Sequence, residues 1–69
     1  MGEQTEQLLR LLHVPFAEIA THVGVGYDTV KGWSMGRSDP SSANRKALAA
    51  FARKHAKRLE RAAGELEGA

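Results

Sequence analysis

Apolar residues recur along this 69-residue chain at steps of three and four, and short breaker clusters cut the series at fixed places. In "PFAEIATHVG" the apolar positions Phe16, Ile19, Ala20 and Val23 fall at i, i+3, i+4 and i+7, which is one face of a short helix. Gly24-Val25-Gly26 then interrupts the pattern, and it resumes with Val30 and the only tryptophan, Trp33. Nothing alternates with the two-residue period of a strand. The spacing therefore predicts an all-α fold built from short helices with tight corners.

Upstream, Leu8, Leu9, Leu11 and Leu12 lie in an unbroken run that predicts a first helix over residues 4–13. Pro15 ends it and opens the next, because the first helical turn has no use for the N–H that proline lacks. A third helix is expected from Tyr27 to about Met35, with Gly36 as its left-handed terminator. The segment "RSDPSS" reads as a loop. Ser41 or Ser42 caps a long last helix over about 42–63 that carries Leu48, Phe51, His55, Leu59, Ala62 and Leu66, with 64–69 as a frayed tail. The expectation is a small single-domain bundle of four helices, or five where the last breaks near His55.

Several function classes fall away on composition. The chain has no cysteine, so neither disulfides nor thiolate metal sites staple it. His13, His22 and His55 are scattered, and Glu18 with His22 is an ordinary i, i+4 surface pair, so no metal site is expected. A nucleophile elbow, a phosphate-cradling glycine loop and a paired-carboxylate site are all missing, which predicts a non-enzyme without cofactor or small-molecule ligand. No apolar run approaches the roughly 18 residues of a membrane span, and "MGEQTEQ" lacks the basic and apolar regions of an export signal. The expected location is the cytoplasm, with no membrane partner.

The net charge of +2 hides a segregated distribution. Residues 1–30 carry one base, Arg10, against four acids, whereas residues 31–61 carry nine bases against Asp39 and Glu60. A basic stripe of this kind faces a polyanion or is a solvated helix face. Two short helices joined through a glycine corner describe the helix-turn-helix, whose second helix enters the DNA major groove. Ala20 is small where the helices cross, Gly24 turns the chain, and Val30 and Trp33 wedge against Ile19 and Val23.

"FAEIATHVGVGYDTVKGWSMGRSDPSS" resembles the helix-turn-helix of the phage-repressor (Cro/C1-type) regulators, with Ile19, Ala20, Gly24, Val25, Val30, Trp33, Gly36, Arg37, Pro40 and Ser41 on the family pattern. The likeness is close over the motif, residues 16–35 with the loop that follows, and loose over residues 4–55. It implies a motif core of Ile19, Ala20, Val23, Gly24, Val30 and Trp33. It also implies an outward, base-reading face of Gly26, Tyr27, Asp28, Lys31 and Gly32, with Met35, Arg37 and Ser38 along the backbone. Gly26, Phe16 and Gly32 stand where the family usually has serine, glutamine and a polar or basic residue.

Ser41, Arg45 and Lys46 join Arg37 and Ser38 as phosphate-side candidates, which position a protein on DNA without specifying sequence. Lys54, Lys57, Arg58 and Arg61 extend that track or merely solubilise the helix. Leu59, Ala62 and Leu66 continue an apolar seam past the expected core, and a second copy of the chain is the economical cover for it. The expected function is a sequence-specific double-stranded-DNA-binding regulator of phage or bacterial type, a repressor acting as a homodimer on an inverted repeat. The alternative is a helix-turn-helix interaction module, antitoxin-like or a DNA-packaging adaptor, whose main ligand is a protein.

Overall fold

A computed structural model of the chain describes residues 2–68, and all of its regular structure is helical: α1 (Gly2–Leu12), α2 (Phe16–Val23), α3 (Tyr27–Ser34) and α4 (Ser42–Gly68). Each boundary has a local cause. Leu12 is followed by His13, whose φ of 54° puts a non-glycine residue in the left-handed region and turns the chain toward Pro15. Pro15, extended at φ −55° and ψ 139°, presents its carbonyl to the N–H groups of Glu18 and Ile19 and so starts α2.

Gly24 ends α2 at φ 86°, and the N–H groups of both Gly24 and Val25 donate to the Ala20 carbonyl. Gly36, at φ 73°, ends α3 in a Schellman turn: Gly36 N–H donates to Trp33 O and Arg37 N–H to Gly32 O. At the start of α4 the Ser41 Oγ accepts from the Asn44 N–H at 3.2 Å, so Ser41 rather than Ser42 is the cap.

α1 and α2 each pack against both α3 and α4, whereas α3 and α4 make no close backbone approach to each other among the described residues. Leu9, Leu12 and Val14 meet Ile19, Ala20, Val30, Trp33, Leu48 and Phe51 in a single core, flanked by half-buried Leu8, Phe16, Val23 and Val25. Of the motif core expected from sequence, Ile19, Ala20, Val30 and Trp33 are buried, Val23 is half-buried, and Gly24 lies at the surface. Gly24 serves through its backbone angle, not through packing.

Two expectations are corrected in α4. No break occurs near His55, so a fifth helix is not formed. The helix also continues through Gly68 instead of ending at about 63, so the residues expected to be a frayed tail are its last turn, apart from Ala69, which lies outside the described residues. At 1.5 Å per residue, 27 residues span about 40 Å. The molecule is accordingly 44 Å long and only 21 by 19 Å across. Its only buried α4 residues are Leu48 and Phe51, and every residue from 56 to 68 is exposed. Among the described residues no helix is long and apolar enough to cross a membrane.

Candidate functional site: the outward face of α3

α3 is eight residues long and divided by side. Val30 and Trp33 point inward and are buried, fixing the helix against α1 and α2. Tyr27, Asp28 and Lys31 are exposed, and Met35 continues their row one turn further on. Tyr27 and Met35 are 51% and 53% exposed, so two large side chains with apolar surface flank Lys31 on the outward side. Asp28 in the first turn complements the positive end of the helix dipole. Thr29 is exposed in the same turn, and no signal in the sequence distinguished it.

Gly26 is the N-cap, in ordinary extended conformation at φ −80° and ψ 158°, and makes no side-chain cap bond. Open space surrounds the position a Cβ would take there. The free N–H groups of the first turn of α3 are thus unobstructed by any side chain at Gly26.

Gly32 contradicts the sequence expectation. It is buried, and a Cβ on it would lie 3.4 Å from Ser38 Oγ. The cause is the Schellman turn, which carries Arg37 and Ser38 back beside the C-terminal half of α3. Gly32 therefore belongs to a helix–loop contact, and the outward face comprises Tyr27, Asp28, Lys31 and Met35.

Tyr27 also has a neighbour that sequence spacing does not reveal. Its ring centroid lies 6.1 Å from that of Phe16, with the planes tilted by 53°. The first residues of α2 and α3 are thus held together by an aromatic pair, the geometry that ring quadrupoles favour. Tyr27 is both a packing residue and a half-exposed one, and its ring is braced from one side.

The basic residues divide between two places. Arg37 and Ser38 are exposed in the loop that follows α3. Ser41, Arg45 and Lys46 are exposed at the start of α4, with the Ser41 oxygen engaged in capping and its hydroxyl proton free to donate. Arg45 lines a groove with Gln4, Thr5 and Leu8 of α1, on the α1 side of the molecule. Arg53, Lys54 and Lys57 border an open groove of about 490 Å³ that His22 and Phe51 also line, the two rings 4.9 Å apart. The structure therefore brings Arg37 and Ser38 to α3 but does not gather the α4 bases around it. Among the described residues no group of three His, Asp or Glu side chains could hold a metal ion.

Comparison with family models, curated proteins and solved structures gave no match.

Proposed function

We propose that the chain is a sequence-specific, double-stranded-DNA-binding transcriptional regulator of the helix-turn-helix kind, a homodimer on an inverted-repeat operator that represses by occupancy. In this reading α2, the corner 24–26 and α3 are the motif, and α3 is the helix that enters the major groove. One observation carries it: α3 is seated through Val30 and Trp33 while the opposite side, Tyr27, Asp28, Lys31 and Met35, is free. A rod held by its back with donors and acceptors in front is what groove reading requires.

Lys31 is the natural donor to guanine O6 or N7, or to a phosphate; Asp28 is an acceptor for a cytosine amino group; Tyr27 offers a braced ring and a hydroxyl. Arg37, with Ser38, supplies backbone contacts that hold register. Repression needs only occupancy of a promoter.

The test is selection of bound duplexes from a random pool, followed by titration at two salt concentrations. The reading expects a palindromic consensus and affinity that falls steeply with salt, as release of several counterions requires. Lys31→Ala and Tyr27→Ala should each relax individual base positions, whereas Arg37→Ala should weaken all sequences alike. Absent binding, or binding indifferent to salt, would overturn the proposal and favour a protein ligand for the same face, to which the exposed Tyr27 and Met35 would then belong.

A further inference from the structure

Among the described residues nothing covers α4 beyond Leu59, although the helix is patterned for a partner there. Ala52, His55, Leu59, Ala62 and Leu66 follow one another at alternating steps of three and four, the a and d positions of a heptad repeat. The first two abut the body of the molecule, where Ala52, His55 and Leu59 border an apolar groove of about 210 Å³ with Leu8, Leu11 and Leu12 of α1. Leu59 is nonetheless 59% exposed, and beyond it the seam runs on uncovered to Leu66, which is 79% exposed. A 13-residue helical end with two glycines is marginal in water unless something packs on it.

We propose that two copies of the chain pair through this seam with their α4 helices antiparallel, crossing near residues 60 and 61. Leu59 then meets Ala62 of the partner subunit, and Leu66 meets His55 of the partner subunit. The inference deepens the two-fold part of the proposed function and rests on that part, not on the DNA.

Three observations select this occupant and this direction. The first is charge. With the seam as a and d, Arg58 and Glu65 both occupy g positions, and antiparallel helices bring g against g. Arg58 of each copy lies opposite Glu65 of the other, twice by symmetry. A parallel pair sets Arg58 against an alanine, because the e positions are Ala56 and Ala63. Those alanines meet across the other flank of the antiparallel pair and let the helices approach closely.

The second is area. A compact monomer of 7.5 kDa exposes about 4,200 Å². This chain exposes 5181 Å². The excess, about 1,000 Å² per copy, has the size of one side of a standard interface, about 800 Å².

The third is what the seam repels. The last two turns of the helix, residues 62–68, carry Glu65 and Glu67 and no base, which disfavours a nucleic acid or an anionic lipid surface at that end. The bases Lys46, Arg53, Lys57 and Arg61 fall on the opposite side of the helix, so a second copy on the seam leaves them outward. Since each residue adds 1.5 Å, the two buried Leu48–Phe51 segments lie roughly 33 Å apart along the shared axis, comparable to the separation of half-sites one duplex turn apart.

Sedimentation equilibrium of the full chain without DNA, from about 1 to 100 μM, reads the association directly. The expected species is twice 7.5 kDa. Leu59→Glu should give a monomer that keeps its cooperative melt, because that side chain is outside the core. Arg58→Glu and Glu65→Arg should each weaken association by on the order of tenfold, two attractions becoming two repulsions. The double variant should restore it. Arg58→Glu gains favourable contacts with Lys54 and Arg61 on its own helix, so its effect is not a loss of helix.

As a second reading of direction, single cysteines introduced at Ala50 and spin-labelled should stand about 30 Å apart in the antiparallel pair and much closer in a parallel one. A monomer at 100 μM, an unrescued double variant, or a short label distance overturns the inference. A dimer of this form that binds no duplex overturns the DNA reading alone, and a monomer that binds duplex overturns this inference alone.

Discussion

Two glycines separated by one valine should respond in opposite directions to a side chain. Gly24 sits at φ 86°, where an L-residue pays roughly 1–2 kcal/mol, and nothing lies within 4 Å of the Cβ it would receive. Gly24→Ala therefore incurs backbone strain without a clash, offset by the roughly 0.4–1 kcal/mol that losing a glycine takes from the unfolded chain. The net expectation is about 1 kcal/mol of destabilisation. Gly26 sits at φ −80° in equally open space, so Gly26→Ser carries no strain. The serine gains the same unfolded-state term, and its hydroxyl oxygen can accept the N–H of Asp28 or Thr29, worth a few tenths of a kcal/mol over glycine. Its net expectation is about 1 kcal/mol of stabilisation. For a domain of this size each kcal/mol moves the melting temperature by roughly 4–8 °C, so the two variants should melt about 8–16 °C apart. Thermal melts followed by far-ultraviolet circular dichroism, at equal concentration for all three proteins, read the difference. A Gly24→Ala protein that melts above wild type, or a Gly26→Ser protein that melts below it, would refute the assignment of the turn to Gly24 and the cap to Gly26.

Core and surface leucines should separate cleanly. Leu48→Ala should cost about 2–5 kcal/mol, a large part of the roughly 3.5–10 kcal/mol a domain of this length possesses, whereas Leu11→Ala, at a site 71% exposed, should stay within about 0.5 kcal/mol; urea titration distinguishes them. Gly32→Ala should stabilise by up to about 1 kcal/mol through helix propensity, since its Cβ meets only Ser38 Oγ at 3.4 Å, and should leave duplex affinity unchanged; a large loss of affinity with the fold intact would mean that Gly32 is on the outward face after all. Ser41→Ala should cost about 1 kcal/mol by removing the acceptor for the Asn44 N–H, visible as a lower urea midpoint with an unchanged slope.

The helices were legible wherever a local signal decides the outcome. Gly24, Gly36 and Ser41 each act through their own backbone or side chain within one turn and do in the structure what their residue types predict, whereas Pro15 stands one residue ahead of the first turn as the N-cap of α2, and α1 already stops at Leu12, before His13. Ile19, Ala20, Val30 and Trp33 were legible as core because helical periodicity alone places them on inward faces. Gly32 was not, because its burial depends on where the loop 37–40 returns after Gly36, a matter of chain direction that no helical wheel contains. The Phe16–Tyr27 pair escaped for a similar reason: it depends on how α2 and α3 cross, not on their spacing. His13 in the left-handed region has only a weak signal, since histidine is one of several residues that visit it. The length of α4 was misread at Gly64, where a glycine that breaks many helices stands on the exposed side and costs only its propensity.

A core this thin limits how the molecule can hold an outward surface. Among the described residues nine buried apolar ones fix four helices, and α3 contributes only Val30 and Trp33 to them. Three of its remaining positions, Tyr27, Asp28 and Lys31, and the Met35 that follows are therefore free of structural duty beyond the Phe16 contact and the place of Asp28 at the positive end of the helix dipole. Substitution of Lys31 should alter recognition at almost no cost in stability, and that of Asp28 at a cost of about 0.3–1 kcal/mol from the lost dipole interaction, while Tyr27 couples the two through its ring. Tyr27→Phe separates those roles, because it keeps the aromatic pair and removes only the hydroxyl. If Tyr27→Phe melts like wild type and loses duplex affinity, the hydroxyl is the contact; if it keeps full affinity while Tyr27→Ala loses both affinity and stability, the ring acts by bracing the start of α3 against α2.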